Sequence, residues 1–506
     1  MEKKYSEYMD EITADELYEG LLGYGMFANR LPPVFTSVPF FDYCQANNPH
    51  FTDKWQDYIY YSSMRNINIP RAFGIPSPMK YQRLCMVIRT YWDELRQHFH
   101  QQTDNQEFRV SRIHVRKLYG KKEMFEMNYK NWRTDGNPET DLLFLKPQGA
   151  SKYVVKADIS TCFPSIYSHS LPWALVGKDV AKANCTNTSL WYNRIDAACS
   201  TMKNGETHGL LIGPYASNLL SEVILTVVDK KLYDKGYRYY RNIDDYECFV
   251  ESYEKAQCFL HDLEDALKEF DLPLNHKKTA ILPLPVAMTE KWIHKLNSFL
   301  AATKDGINYT EVNAYLDLAL NLATETGNSA VLNYAIKTLA GKKLTANAKK
   351  LAAQRITHMS DIYPYLVQLM EDSVFAPFSV GKAEIKAYSD ALYSDSKKSH
   401  NYEAISYAIY FSLKHGFTLT ELDIDWVIER GDCVLLLMTW LYYLNLNHGN
   451  RRATDLKPLL REAERLMDTE MDRYWLFCYE AVAMSKLHDD WKLLKRSGVS
   501  FVKVTF

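Results

Sequence analysis

Three aspartates carry the chemistry that this chain offers most clearly. Asp158 lies in KYVVKADISTCF, an apolar, β-branched run with the pattern of a buried strand ending on a carboxylate. Asp244 and Asp245 lie in YRYYRNIDDYECFV, two strand-like runs around a tight acidic turn. Strand ends that gather such carboxylates make an all-oxygen site for two Mg2+ ions, with Mn2+ as a substitute. One ion activates an attacking oxygen and both stabilise in-line displacement, which is the chemistry of nucleotidyl transfer. Adjacent aspartates also arise by chance in chains of this length, so the flanking segments must decide.

Phe163 follows Asp158 by five residues. In a two-metal polymerase an aromatic ring at that offset lies under the incoming sugar and excludes a 2′-hydroxyl. The segment GETHGLLIGPYASNLLSE, residues 205–222, is a glycine-bearing loop opening a helix. Gly213 and Ser217 there allow the backbone to approach a nucleotide closely. In LPLNHKKTAIL, Lys278 stands at the start of a strand and can act as a point charge near a triphosphate or its leaving group. Arg112 and Arg116 alternate along SRIHVRKL, a strand-like run, and are the preferred triphosphate ligands ahead of Arg65 and Arg71. Each of these residues has a bland alternative as a packing or solvated group; their shared order carries the weight.

The elements that must position them follow from periodicity. Leu84, Val87, Ile88, Tyr91, Leu95 and Phe99 predict a helix over residues 80–100. A second helix follows Ser217 and stops at Gly236; a third starts at Ser252. Strands, helices, a hairpin, a helix and a short strand in that order predict an α+β palm with helices behind one sheet. Beyond LPLPVAM, residues 282–288, strand patterns almost vanish and helical segments recur, which predicts a domain at residues 1–288 and an all-α, HEAT-like domain at 289–506. The 506 residues carry 60 basic and 62 acidic side chains, a net charge of −2, so no global field draws in nucleic acid and any binding needs a local groove. Nine scattered cysteines without a CxxC motif, a polar N-terminus and the lack of a membrane-length apolar run predict a cytoplasmic protein with reduced thiols and no membrane partner.

The four segments around Asp158, Gly213, Asp244 and Lys278 stand in the order and spacing of reverse transcriptase motifs A to D, with 86 residues between Asp158 and Asp244. GLLGYGMFANRLPPVFTS, RAFGIPSPMKYQRL and FPSIYSHSLPWALVGK extend the likeness. Over residues 20–285 the chain resembles the abortive-infection (Abi) reverse transcriptases of bacterial phage defence, of the AbiK and P2-prophage type. That resemblance implies fingers and palm subdomains followed by a helical domain in place of a thumb. It implies a metal set of Asp158, Ile159, Asp244 and Asp245, with dNTPs bound by Phe163, Gly213, Ser217, Lys278, Arg112 and Arg116. It also implies DNA synthesis without an added template, primed from a protein hydroxyl, so that single-stranded DNA stays covalently attached. A homo-oligomer and a phage-encoded trigger belong to the same expectation. The sequence does not choose the priming hydroxyl among Tyr5, Tyr8, Tyr18, Tyr24, Tyr43 and the tyrosines of the helical half.

Two departures from ordinary reverse transcriptases bear on this. Motif B reads Leu211-Ile212-Gly213 in place of Pro-Gln-Gly, so the glutamine's polar contacts near the template base are lost. Motif C reads Asn242-Ile243-Asp244-Asp245, with asparagine where a tyrosine positions the primer end. A conventional RNA-templated reverse transcriptase is the nearest rival, and a non-catalytic helical scaffold that senses phage components is a third reading. Retained, mutually repelling carboxylates oppose the last.

Overall fold

The computed structural model describes residues 3–52, 54–64, 70–115, 124–127, 151–287, 290–303 and 306–503. Its central sheet grows from the runs predicted above. Strands β5 (Tyr153–Asp158), β6 (Arg238–Asn242), β7 (Asp245–Val250) and β8 (Ala280–Pro283) form an antiparallel sheet in the order β6-β7-β5-β8. β5 is paired on both sides, which explains why Val154, Val155 and Ala157 are all buried rather than alternating. Before it come two separate hairpins, β1 (Tyr58–Met64) with β2 (Pro70–Pro76), and β3 (Ile113–Val115) with β4 (Phe125–Met127).

The helix at Tyr215–Asp234 lies behind this sheet, with Leu219, Leu220, Val223, Ile224, Val228 and Leu232 buried. Gly236, at φ +81°, ends it as expected, because the left-handed turn that satisfies the last carbonyls is open to glycine at little cost. The helix at Tyr253–Lys268 is capped by the Ser252 hydroxyl, which accepts from the Lys255 amide at 3.2 Å. The single helix expected over 80–100 is two, Pro78–Thr90 and Trp92–Thr103, because Tyr91 leaves helical geometry at φ −108° and ψ 27°. Both halves still bury the predicted face.

From Lys291 onward every described element is helical. Several contacts join this half to the rest, among them Arg473 with Asp57 and the Tyr407 hydroxyl with the Leu31 carbonyl. Thr36 donates its amide to the Phe501 carbonyl (2.9 Å) and Lys503 to that of Val34 (2.8 Å), so the C-terminal segment lies along residues 34–36. The Glu403 carboxylate, 1% exposed, accepts from the Ser63 hydroxyl (2.7 Å), the Met64 amide (2.7 Å) and Gln368 Nε2 (2.6 Å), locking strand β1 to the helices. Among the described residues no helix is long and apolar enough to cross a membrane.

Candidate active site

Register in the sheet brings the distant carboxylates together. Asp158, the last residue of β5, pairs with Asp245, the first of β7, and the Ile159 amide donates to the Asp244 carbonyl at 3.0 Å. Strands β6 and β7 are joined by the two-residue turn Ile243-Asp244. Directly opposed residues on antiparallel strands hold their side chains close, which puts the Asp158 and Asp245 carboxyl groups side by side. Loss of hydration at the cavity wall, then the neighbouring Asp158 carboxyl and the charge of Asp244, raise the Asp245 carboxyl to about 6. Asp244 is also held above the usual carboxylate range, first by desolvation and further by Asp158.

These residues line a cavity of about 900 Å³. Asp158, Ile159, Phe163, Asp244, Asp245 and Lys278 all reach it, so six of the residues expected from sequence share one wall system. Phe163 stands on a short helix at Cys162–Ser165 directly after the turn that follows Asp158. Lys278 Nζ donates to Asp158 Oδ2, so its charge is engaged with the aspartate itself, while most of its stem is exposed. Asn275 completes the support of Asp158, donating Nδ2 to Oδ1 at 2.8 Å and its amide to the backbone carbonyl at 2.7 Å. Asn275 was not anticipated, although an asparagine just ahead of a strand is a turn signal.

Other expected residues lie elsewhere. The Ser217 hydroxyl turns back to donate to the Leu211 carbonyl at 2.6 Å and does not line the cavity. Its helix starts at Tyr215, behind Pro214, so Ser217 sits inside the first turn rather than ahead of it. Gly213, at φ +126°, packs against the first hairpin; a Cβ there would stand 3.2 Å from that of Ala28 and 3.5 Å from the Gly74 carbonyl. Arg112 places its guanidinium 3.6 Å from the centre of the Tyr240 ring, away from the cavity. Arg71, ranked lower in the sequence, does line the cavity and lowers the proton affinity of Asp244 by its charge. The reason is the hairpin: β2 lies over the motif B loop, with the Gly74 amide bonded to the Ile212 carbonyl at 3.0 Å. Arg65 and Arg116 lie outside the described residues.

Among the described residues no three His, Cys, Asp or Glu side chains form a ready-made metal cage. The donor set itself is nonetheless all-carboxylate, which suits a hard divalent cation, and the crowding of Asp158, Asp244 and Asp245 is a repulsion that such a cation relieves.

Residues 107–311 match the family described as reverse transcriptase (RNA-dependent DNA polymerase). The match places a reverse transcriptase domain in this stretch, which holds Asp158, Asp244 and Asp245. No curated protein matches the sequence. Among solved structures, the chain is similar to apo telomerase from Candida tropicalis truncated from its C-terminal domain, at 13% identity and a TM-score of 0.29, covering 46% of this chain and 51% of that one. It is also similar to apo telomerase from Candida tropicalis, at 10% identity and a TM-score of 0.33, covering 83% of this chain and 70% of that one. Telomerase from Candida albicans with a fragment of telomeric RNA gives 9% identity and 0.30, covering 85% and 66%. The chain thus spans about half the length of the first of these structures.

Proposed function

We propose that the chain is a DNA polymerase of abortive-infection phage defence that adds dNTPs by two-metal catalysis without copying a template, starting from a hydroxyl of the protein. The observation that carries the catalytic part is the pairing of Asp158 with Asp245 in a cavity that also holds Asp244 and Phe163. Asp158, Asp244 and Asp245, with Ile159 beside them, are the residues that would hold Mg2+. When bound, the ions supply charge that stabilises phosphoryl displacement. The chain's own residues orient what reacts: Phe163 bounds the space for the sugar, Arg71 and Lys278 offer positive charge to phosphates, and Asn275 keeps Asp158 in place.

Support for synthesis without copying lies in the loop before the Tyr215–Asp234 helix. Leu211 and Ile212 present apolar surface to the cavity where a glutamine would offer hydrogen bonds to a base. For priming, Tyr5, Tyr18 and Tyr43 are buried, which leaves Tyr8 and Tyr24 of the N-terminal tyrosines partly open to solvent. Residues 1–288 are the fingers and palm in this reading, residues 289–506 a HEAT-like domain, and the protein acts in the cytoplasm as a homo-oligomer answering a phage-encoded trigger. An RNA-templated reverse transcriptase is the second reading, favoured by the description of the matching family.

Purified protein incubated with Mg2+ and single dNTPs, with and without an added template, separates the two. Incorporation without template, leaving a nucleotide adduct found by mass spectrometry on a tyrosine, serine or threonine, is the expected result. Incorporation that requires a template, on protein that stays unmodified, selects the second reading. Asp244→Asn must abolish incorporation while the protein stays folded; polymerisation by that variant removes the assignment.

A further inference from the structure

The turn that carries Asp244 is strained, and a buried ion cluster grips it from beneath. Ile243 adopts φ +55°, a left-handed conformation that a β-branched residue rarely enters and that persists only where its surroundings enforce it. Arg241, wholly buried, donates Nη1 to the Ile243 carbonyl at 2.8 Å. The same guanidinium is held by two carboxylates from the helix behind the sheet. Nη1 and Nη2 donate to Glu222 Oε1 and Oε2 at 2.7 and 3.0 Å, and Nε and Nη2 donate to Asp229 Oδ2 at 3.0 and 2.6 Å. Tyr5 and Ser111 donate to Glu222 Oε2 at 3.1 and 3.0 Å, and the Tyr239 hydroxyl donates to the Asp229 carbonyl at 2.7 Å. The backbone is fastened as well: the Arg241 amide donates to the Val110 carbonyl (2.9 Å) and its carbonyl accepts from Arg112 (2.8 Å).

Stability alone does not account for this arrangement. Taking one cation and two carboxylates out of water is expensive, and apolar side chains of similar volume usually serve a core as well. What the guanidinium does that an apolar group cannot is hold a carbonyl of the turn at a set distance and direction. We propose that Arg241 is a positioning residue: through the Ile243 carbonyl it keeps the strained turn in the one conformation that presents Asp244 beside Asp158 and Asp245. Glu222 and Asp229 fix the guanidinium, and Tyr5 extends the linkage to the N-terminal helix at Tyr5–Asp10. The metal-binding part rests on the function proposed above; the conformational part does not.

The test uses the full chain with three replacements: Arg241→Lys, Glu222→Gln, and the triple change Arg241→Met with Glu222→Met and Asp229→Leu. Thermal melting identifies which of them fold. Two readouts follow on the folded ones. Hydrogen exchange of the Ile159 amide, which bonds the Asp244 carbonyl, is measured in metal-free protein, and Mn2+ binding is measured by calorimetry. Exchange faster by about tenfold or more and Mn2+ affinity weaker by a similar factor are expected for the triple and lysine variants, with a smaller change of about threefold for Glu222→Gln. A purely structural role lowers the melting temperature yet leaves both readouts as in wild type, and that result overturns the proposal. If only Glu222→Gln folds, its two readouts decide alone. Wild-type protein that binds no Mn2+ defeats the proposed function instead, while the exchange measurement still judges the clamp.

Discussion

Asp158 and Asp245 are opposed residues on neighbouring antiparallel strands, and Asp158 raises the proton affinity of Asp245 although 87 positions separate them in the chain. Such a pairing keeps two groups together that repel once both are ionised. The balance between that repulsion and a bound cation is what a polymerase site of this kind requires.

Asp245→Asn therefore separates folding from chemistry. It removes one of the crowded charges, so the metal-free variant is expected to melt no lower than wild type. Incorporation of dNTPs is expected to fall by about a thousandfold or more, since a ligand of the ions is gone. A folded variant with near-normal incorporation would show that this carboxylate is dispensable.

Phe163 is expected to set the choice of sugar. It lines the cavity in the short helix directly after the turn that follows β5, with the Leu210 amide donating to its carbonyl at 2.8 Å and so holding the backbone in place. Phe163→Ala should let rNTPs compete better by about tenfold or more, read as the ratio of kcat/KM values for dNTP and rNTP. An unchanged ratio would assign the selection to another residue.

Glu403 is the strongest polar link between the helical half and strand β1. Glu403→Ala leaves the Ser63 hydroxyl, the Met64 amide and Gln368 without their buried acceptor. A loss of about 3 kcal/mol in denaturant unfolding is expected, together with faster proteolysis near residues 58–64. A change under about 1 kcal/mol would mean that water replaces the carboxylate with ease.

His98 makes the fold sensitive to acid through a group outside the cavity of the aspartates. It is buried behind the Tyr215–Asp234 helix with Nε2 bonded to the Val223 carbonyl at 2.9 Å, and burial lowers its pKa to about 4. The folded value lies below that of the unfolded chain, so this contribution is complete above about pH 6.5 and is lost as pH falls toward 4. The loss amounts to about 3 kcal/mol. His98→Gln should flatten the pH dependence of unfolding over that range by roughly this amount; an identical profile in the variant would place the acid sensitivity elsewhere.

Much of the palm was legible along the chain. The run ending at Asp158 has strand composition, the hairpin around Asp244 has it on both sides of a tight turn, and the helix after the motif B loop shows its apolar stripe from Leu220 to Leu232. Local pattern suffices for these because burial of a stripe or a strand is decided by nearest neighbours in sequence. Gly213 and Ser217, in a glycine-bearing loop that opens a helix, and Arg112, in a strand-like run, suggest nucleotide contacts from local pattern. They face the first hairpin, their own loop and the Tyr240 ring instead, because the direction a loop presents depends on whatever packs over it. Arg241 left no trace at all: one arginine in a strand looks solvated until Glu222 and Asp229, 19 and 12 residues earlier on a helix, close around it.

The residue order by itself thus determined which side chains are chemically capable, and that three carboxylates stand at strand ends or in the turn between strands. Only the tertiary structure decided that β5 lies beside β7 in the register that joins Asp158 to Asp245, that β2 covers the motif B loop, and that a buried guanidinium holds the turn at Ile243. Register and burial arise from contacts between segments far apart in the chain, whose energies no local run of residues contains.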